Sequence, residues 1–192
     1  MTKITIIRHG ETDANKQMIV QGRLNNPLNS TGISQAIQAA KYFSHHCYQI
    51  DVIVSSPLIR ALRTAELIRE ELKLPLDIHE DSELIERNFG EYDGKKIQED
   101  YQEQVLLNLI PGMEKNHELE HRVITSLTRI ALEHQNKHIL VVAHSHVIKA
   151  LLVQMNIGFE YKTFLANCAI STLEFDHETN QFLVTHANTS PF

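Results

Sequence analysis

The chain contains three short apolar runs, at residues 4–7, 51–54 and 138–143, and isoleucine and valine dominate them. Runs of this kind, without strict alternation of apolar and polar residues, are typical of strands that are buried on both faces of a parallel sheet. The pattern therefore predicts a central sheet that contains at least these three strands.

The segments between the runs show the period of amphipathic helices, and two of them carry apolar stripes that we expect to face the core. Near the carboxyl end, residues 171–176 and 181–185 alternate around a polar stretch, which predicts a hairpin at the sheet edge. The resulting fold class is α/β, a three-layer sandwich with a mainly parallel central sheet flanked by helices. The two stripes consist of Ile33, Ala36, Ile37, Ala40 and Phe43, and of Leu119, Val123, Leu127, Ile130 and Ala131.

Each apolar run is followed by a cationic or potentially cationic side chain. Arg8 and His9 end the first run, and His144 ends the third. After the second run, Ser56 fits a helix N-cap and the proline after it fits the first helical position. The predicted helix extends to about residue 72 and carries Arg60 in its first turn. Because ligands bind at the carboxyl ends of strands in open α/β sheets, the sequence predicts a pocket for a doubly charged anion.

Arg8 and His9 alone do not require chemistry, because the same pair is found in ordinary salt-bridged loops. Capping or ion pairing is likewise an alternative role for Asn15 and Arg60. The choice depends on whether the remaining motifs agree.

Composition favours one domain over residues 1–192. The chain has two cysteines without metal-like spacing, and we expect Cys47 and Cys168 to be buried, reduced and inert, as in a cytoplasmic protein. We find neither a signal peptide nor an apolar stretch of membrane-spanning length. A net charge of −6 argues against a nucleic-acid surface.

Other ligand classes find little support. The chain has no Gly-x-Gly-x-x-Gly motif and no Walker loop, which excludes dinucleotide and P-loop sites of the usual kind. It has 12 histidines but no His-Glu-x-x-His motif, and His144-Ser145-His146 lacks acidic neighbours in sequence. We therefore expect neither a catalytic metal nor a cofactor.

An ordered set of motifs extends over nearly the whole chain, and with it the chain resembles the histidine phosphatase superfamily (phosphoglycerate mutase-like, branch 1). The motifs are Arg-His-Gly-Glu-Thr-Asp-Ala-Asn at 8–15, Gln-Gly-Arg at 21–23, Pro-Leu at 27–28, Thr-Gly at 31–32, Ser-Ser-Pro-Leu-Ile-Arg-Ala at 55–61, Thr-Ala-Glu at 64–66, Leu-Ile-Glu-Arg-Asn-Phe-Gly at 84–90, Tyr-Asp-Gly at 92–94, His144, and Asn-Cys-Ala-Ile-Ser at 167–171.

The resemblance implies a role for each catalytic position. His9 would attack phosphorus and carry a phosphohistidine. Arg8, Arg60 and His144 would hold the phosphoryl oxygens. Glu86 would protonate the leaving oxygen, which requires a raised pKa, and the charge of the bound phosphate would act in that direction. Asn15, Gln21, Gly22 and Ser145 would contribute to substrate binding.

Some positions leave alternatives open. Glu83 is the fallback for Glu86, because both lie in an acidic stretch. Ser145 stands where the family usually has glycine, and a positive φ there would strain it. His146 is either an additional cation of the pocket or a residue of its rim.

A short insert at about residues 92–117 lies between Glu86 and His144, which are 58 positions apart. The mutases of the family carry a longer segment here, one that protects the intermediate from water. The apolar stretch 105–110 is either a wall for the substrate or, as we favour, packed on the body of the domain.

The sequence therefore predicts a metal-independent phosphatase that hydrolyses small phosphomonoesters. The alternatives are a cofactor-dependent phosphoglycerate mutase and a non-catalytic protein that binds a phosphorylated ligand. The expected partner is a small-molecule substrate, with no nucleic acid and no membrane. The sequence names neither the substrate nor the oligomeric state.

Overall fold

The computed structural model describes residues 1–192, and a six-stranded sheet forms its centre. The strand order is β3-β2-β4-β1-β5-β6. The strands are β1 Thr2–Arg8, β2 Val52–Ser55, β3 Ile78–Glu80, β4 His138–Ala143, β5 Ile170–Asp176 and β6 Gln181–Thr189. Four of them, β3, β2, β4 and β1, pair in parallel, so the mainly parallel sheet is confirmed.

Helices cover both faces of this sheet. The α-helices are α1 Asp13–Lys16, α2 Ser30–His45, α3 Ile59–Glu71, α4 Tyr101–Leu106, α5 Asn116–Glu133 and α6 Ser145–Gln154, and short 3₁₀ helices cover Ser82–Leu84 and Gly90–Tyr92. The helices α5 and α6 share one buried cluster with the sheet, and α2 and α3 share another. The predicted three-layer architecture is confirmed.

Alternate residues of β1 enter different clusters. Ile4 and Ile6 pack with α5 and α6, whereas Ile7 packs with α2 and α3, and all three are fully buried. A strand that is covered on both faces must be apolar on both, which is why the run lacks polar alternation. The stripe predicted on α5 is buried throughout.

The parallel register brings the strand ends together at one rim of the sheet. Arg8 pairs with Ala143 across β1 and β4, and Ser55 pairs with Val142 across β2 and β4. The residues that follow these strands therefore start from neighbouring points, which is the arrangement that the anion pocket requires.

The carboxyl-terminal hairpin is confirmed, with β5 antiparallel to both β1 and β6. None of the helices combines the length and the apolar character that crossing a bilayer would demand.

The predicted start of α3 is wrong. Ser56 is not its N-cap, because the backbone N–H of Ser56 donates to Val142 O at 3.0 Å and so extends the sheet. The helix begins at Ile59, and the extended residue Leu58 is its N-cap. Ser56 Oγ instead accepts from the N–H of Leu58 at 3.3 Å, which stabilises the turn into the helix.

Two burial predictions also fail. Cys47 is exposed, because it lies in the turn after α2 with a φ of 54°, while Cys168 is buried as expected. Ile33 is 38 % exposed, because α2 directs Gly32, Ala36, Ala40 and Phe43 inwards and Ile33 lies outside that face.

The stretch between Gly90 and α5 packs against Val20 and Phe89 in a small cluster, which we call the insert cluster: Val20, Phe89, Tyr101, Val105, Ile110 and Met113. Val105 and Ile110 are buried within this cluster and not in the main core. Val105 and Leu106 also line the cavity described below, so the stretch 105–110 both packs and forms part of a wall. Leu106, Leu107 and Leu109 are exposed. The extent of the insert as a separate unit stays a prediction.

Candidate active site

The end of β1 turns sharply at Gly10. A Cβ atom at this position would lie 2.4 Å from the carbonyl oxygen of Gly32, so any larger residue would force the first turn of α2 away. The N–H of Gly10 donates to Thr64 Oγ1 at 3.1 Å, and that of His9 to Ala143 O at 3.0 Å. The backbone that carries His9 is thus held from both sides.

The hydrogen bonds of His9 assign its tautomer. Nδ1 lies 2.7 Å from Gly10 O, and a carbonyl only accepts, so Nδ1 carries the proton. Nε2 accepts from Arg60 Nε at 3.2 Å and is therefore unprotonated. Burial lowers the pKa of His9 well below its usual value, and the charges of Arg60 and Arg8 lower it further. His9 is a neutral imidazole, and its single Nε2 lone pair accepts from Arg60 in this structure, so attack on a substrate requires that this hydrogen bond be released.

Arg60 is almost completely buried at the first turn of α3. Its Nη1 donates to Leu24 O at 2.6 Å and its Nη2 to Gly22 O at 2.8 Å. Burial lowers its pKa to about 10, which leaves it charged at neutral pH. Arg60 therefore connects His9 to the loop that contains Gly22.

Arg8 is the last residue of β1 and directly precedes His9. Its Nη1 donates to Leu165 O, and its buried Nε has no hydrogen-bond partner. Burial lowers the pKa of Arg8, and the negative charge of Glu86 opposes that effect. A half-buried guanidinium whose Nε–H is buried without a partner is a suitable donor for an anion.

His144 is fully buried and lies behind His9, with ring centroids 5.2 Å apart. Its Nε2 is 2.7 Å from Ser56 Oγ, and its Nδ1 has no partner. Burial, followed by the charge of Arg60, lowers its pKa well below the usual value. His144 does not line the cavity described below, so its contact with phosphate stays a prediction.

Glu86 is 6 % exposed and follows the 3₁₀ turn Ser82–Leu84. Its Oε1 accepts from the N–H of Arg87 at 2.8 Å and its Oε2 from that of His146 at 3.4 Å. Burial is the largest cause that raises its pKa, and the hydrogen bond from Arg87 opposes it. The fallback Glu83 is exposed and does not line the cavity, which favours Glu86 as the acid.

Asn15 and Gln21 form the opposite wall. The side-chain oxygen of Asn15 accepts from the N–H of Thr12 at 3.2 Å and from Asn167 Nδ2 at 3.2 Å. These bonds orient the amide so that its Nδ2 remains available as a donor. Gln21 Oε1 accepts from Thr12 Oγ1 at 2.9 Å, and Gly22 adopts a φ of 47° that glycine tolerates.

Ser145 is the first residue of α6 and does not have a positive φ, so replacing the usual glycine causes no backbone strain. His146 is buried, and burial lowers its pKa well below the usual value, so at neutral pH it is not the additional cation considered above. It lines the cavity beside Ser145.

These side chains surround one cavity of about 200 Å³. The predicted residues Arg8, His9, Asn15, Gln21, Gly22, Arg60, Glu86 and Ser145 all line it. Sequence reasoning missed Tyr101, Gln102, Lys149, Tyr161 and Lys162 as lining residues. Apolar side chains complete the lining: Ile19, Val20, Phe89, Ile97, Val105 and Leu106. Lys149 lies about one helical turn after His146 on α6, so the spacing from His146 could have indicated it. Tyr101 and Gln102 belong to the six-residue helix α4, and Tyr161 and Lys162 to a turn, and segments this short show no readable period.

Arg87 was also missed as a contributor. Its side chain is fully buried, Nε donates to Glu114 O at 2.8 Å, and Nη2 donates to Asn108 Oδ1 at 3.2 Å. Arg87 thereby links the backbone beside Glu86 to the insert. No three histidine, cysteine, aspartate or glutamate side chains form a cluster that could hold a metal ion.

Comparison with known proteins agrees with this geometry. The chain is 39% identical over 180 residues to an uncharacterized phosphatase, PhoE, of Bacillus subtilis, with 93% of this chain and 91% of the relative covered. It is 30% identical over 191 residues to a putative phosphoserine phosphatase 2 of Hydrogenobacter thermophilus, with 93% and 92% covered.

A solved structure shares the whole fold. A phosphoserine phosphatase mutant from Entamoeba histolytica, in complex with phosphoserine, superposes with a TM-score of 0.83 at 26% identity and covers 99% of this chain and 98% of its own. The model of the histidine phosphatase superfamily (branch 1) matches residues 4–188. The chain belongs to the histidine phosphatase superfamily, branch 1, as its motifs indicate.

Proposed function

We propose that the protein hydrolyses small phosphomonoesters through a phosphohistidine on His9. The observation that carries the proposal is the arrangement of two groups in one cavity: His9 has an unprotonated Nε2, and Glu86 is a buried carboxyl whose pKa is raised by burial. The cavity thus holds a nucleophile beside a carboxyl whose pKa is shifted in the direction that general acid catalysis needs.

In the first step, His9 Nε2 attacks phosphorus, and the bond from phosphorus to the ester oxygen breaks. The proton of the Glu86 carboxyl goes to the departing alkoxide. Arg8 and Arg60 hold the phosphoryl oxygens, with Asn15 and His144 as further donors, because the charge spread over those oxygens is what this transition state must stabilise.

In the second step, a water molecule attacks the phosphohistidine while the Glu86 carboxylate takes its proton. The P–N bond breaks, inorganic phosphate leaves, and Glu86 and His9 return to their starting states. Gln21, Gly22 and Ser145 line the cavity and complete the binding of the substrate. The residues act without a resident metal ion or organic cofactor.

The short insert supports hydrolysis over mutase chemistry, because transfer to a second hydroxyl requires that water be kept from the phosphohistidine. Here the insert contributes one six-residue helix and leaves three leucines at the surface. The relatives named phosphatases support the same choice. A purely phosphate-binding protein would not need an acid at Glu86. A cytoplasmic location stays a prediction.

The proposal is tested by trapping the intermediate. Wild type mixed with ³²P-labelled substrate and quenched in acid should yield a base-stable phosphoprotein, and His9→Ala should yield none and lose turnover by at least 10³-fold. His45→Ala, at the exposed end of α2, is the matched control and should behave as wild type. Substantial hydrolysis by purified, folded His9→Ala would contradict the assignment.

Chelation tests the metal prediction separately. Activity should survive exhaustive EDTA treatment, and vanadate should inhibit as a five-coordinate phosphorus analogue. A loss on chelation that Mg²⁺ or Zn²⁺ restores would show that the charge of the phosphate is not neutralised by side chains alone.

A further inference from the structure

We infer that Ser56 is a positioning residue: its hydroxyl donates to His144 Nε2 and so fixes the tautomer in which the Nδ1–H of His144 is free to bind the phosphoryl group. This inference rests on the proposed function and adds a residue that acts through His144. Nothing in the reaction described above uses Ser56, although it stands four residues before Arg60 in the same motif.

Ser56 and His144 are brought together by the pairing of β2 with β4. Ser55 is the last residue of β2 and pairs with Val142, while Ala143 ends β4. The N–H of Ser56 donates to Val142 O at 3.0 Å, which holds the serine against the strand end that His144 follows. Both Ser56 and His144 are fully buried. Their contact therefore starts from two fixed points of the backbone.

The hydrogen bonds of the Ser56 hydroxyl assign the direction of this contact. Its oxygen accepts from the N–H of Leu58 at 3.3 Å and lies 2.7 Å from His144 Nε2, and it has no third partner. Because the N–H of Leu58 can only donate, Nε2 is the one acceptor for the hydroxyl proton. If Nε2 itself carried a proton, both the hydroxyl proton and Nδ1 would be buried without partners. Buried polar groups are normally paired, so the hydroxyl donates and Nε2 accepts.

This assignment leaves the single proton of His144 on Nδ1. Burial is the largest cause that lowers the pKa of His144 well below its usual value, so the ring is neutral at pH 7 and carries one proton. Nδ1 is buried, and no group of the chain accepts from it. His144 thus has a buried N–H donor to spare, and an anion that binds beside it would supply the missing acceptor.

The spare donor lies in the region where the phosphoryl group reacts. The rings of His144 and His9 meet edge to face, with centroids 5.2 Å apart. After burial, the charge of Arg60 is the next cause that lowers the pKa of His144, so this guanidinium is close as well. A neutral imidazole N–H can stabilise the developing negative charge without adding a positive charge that would repel Arg60.

The alternative is a structural serine that only closes the turn before α3 through its bond to Leu58. Such a serine would not set the tautomer of His144. The tautomer can be read from long-range ¹H–¹⁵N spectra of protein labelled with ¹⁵N-histidine at pH 7, with His144→Ala identifying the signals of His144. In wild type, Nδ1 should have the chemical shift of a protonated nitrogen and Nε2 that of an unprotonated one.

Two additions to this measurement test the consequences. Ser56→Ala removes the donor to Nε2, so the signals of His144 should move towards the tautomer with the proton on Nε2. Titration of wild type with inorganic phosphate should shift the Nδ1 proton of His144, because that proton gains an acceptor.

Kinetics tests whether Ser56 acts through His144. Ser56→Ala should lower kcat/KM for p-nitrophenyl phosphate by about tenfold, mainly through kcat, because a donor to the phosphoryl oxygens is needed most in the transition state. In the His144→Ala background, the same substitution should change kcat/KM by less than about twofold.

Ser126→Ala is the matched control. Ser126 is also buried, its hydroxyl donates to the Asp81 carboxylate at 2.7 Å, and neither residue lines the cavity. The control should leave kcat/KM within about twofold of wild type. Circular dichroism and thermal melting check that each variant is folded.

Three results would overturn the role of Ser56 while leaving the phosphatase intact. They are a His144 proton on Nε2 in wild type, a phosphate titration that shifts the signals of His9 and not those of His144, and equal losses from Ser56→Ala in both backgrounds. A folded wild type that releases no phosphate from p-nitrophenyl phosphate and forms no phosphoprotein would instead overturn the proposed function. The two failures are distinguishable, because the tautomer is read from spectra that need no turnover.

Discussion

The rim of the sheet and the insert build opposite halves of one cavity in different ways. At the rim, His9 and Arg60 follow strands whose backbone bonds fix them against β4, and both are at most 2 % exposed. Across the cavity, Val105 belongs to the six-residue insert cluster, which is separate from the two larger clusters of the body. The nucleophile His9 and its neighbour Arg60 thus follow strands of the central sheet, whereas the other wall rests on a small cluster of its own.

The contrast assigns different properties to the two halves. Catalytic groups must hold their geometry to a fraction of an ångström, and parallel strand ends meet that demand. A wall that selects substrates can vary without disturbing the chemistry. Arg87 joins the halves, because it follows Glu86 directly and its side chain bonds to Asn108 and Glu114 of the insert.

The largest effect should come from removing a charge at the rim. Arg60→Ala should lower kcat/KM by about 10²- to 10³-fold, because it removes a donor to the phosphoryl oxygens and the bond that orients His9 Nε2. Arg60→Lys should recover little, since one ammonium cannot reproduce the bonds to Leu24 and Gly22. Steady-state kinetics with p-nitrophenyl phosphate measures both.

Arg63→Ala is the matched control for Arg60. Arg63 lies on the outer face of the same helix, and its ion pairs with Glu66 and Glu70 are solvent-exposed. Its removal should leave kcat/KM within twofold and the free energy of unfolding within about 1 kcal/mol. Similar losses of kcat/KM from Arg60→Ala and Arg63→Ala would show that the losses come from damage to α3 and not from removal of the charge at the rim.

The next effect separates acid catalysis from binding. Glu86→Gln should reduce turnover of alkyl phosphates by about 10²-fold or more, and that of p-nitrophenyl phosphate far less, since a good leaving group needs little protonation. Glu83→Gln, on the exposed residue, should change neither. If Glu86→Gln slowed both substrate types equally, Glu86 would have no role as the general acid.

Sequence patterns predicted the rim and not the insert, and the reason is physical. At the rim, apolar runs define the strands, and the strands alone place Arg8, Arg60 and the turn at Gly10. The start of α3 was misplaced because Ser56 completes a sheet hydrogen bond with Val142, a tertiary contact that capping propensity does not reveal. In the insert, short 3₁₀ and helical turns have no measurable period, so Tyr101 could not be placed.

A truncation in the insert should affect phosphoprotein formation much less than a substitution at the rim does. Ile110→Ala removes a side chain that is 3 % exposed from the insert cluster and should cost about 2–4 kcal/mol of local stability. Amide hydrogen exchange should speed up at residues 90–114, while phosphoprotein formation from p-nitrophenyl phosphate changes less than tenfold. KM for larger esters should rise.

Leu109→Ala is the control for Ile110, because the neighbouring Leu109 is 61 % exposed. Its truncation should leave exchange and kinetics as in wild type. If Ile110→Ala abolished phosphoprotein formation in a folded protein, the insert could not be altered without disturbing the reaction groups at the rim, which would contradict the comparison.

The last effect concerns the dependence of stability on pH, where a single variant changes one of several proton-linked groups. Burial lowers the pKa of His9, His144 and His146 well below 6.5, and lowers that of His138 to about 4. Between those lowered values and 6.5, the unfolded chain binds protons that the native state does not. Stability therefore falls as the pH falls, by up to about 1.4 kcal/mol per pH unit for each histidine. Glu86 and Asp93 act in the opposite direction, since burial raises the pKa of each and so favours the native state at low pH, but they are two groups against four.

The melting temperature should accordingly fall between pH 7 and pH 5. His138→Gln provides the sharpest test, because His138 lies at the start of β4 and its side chain bonds to Thr5 Oγ1, outside the cavity lining. The variant loses one proton-linked group, so its melting temperature should fall less over the same range than that of wild type. Circular dichroism melts at matched ionic strength measure both slopes. A melting temperature that stays constant or rises on acidification would mean that the buried histidines do not remain neutral in the native state, and the protonation state assigned to His9 would lose its basis.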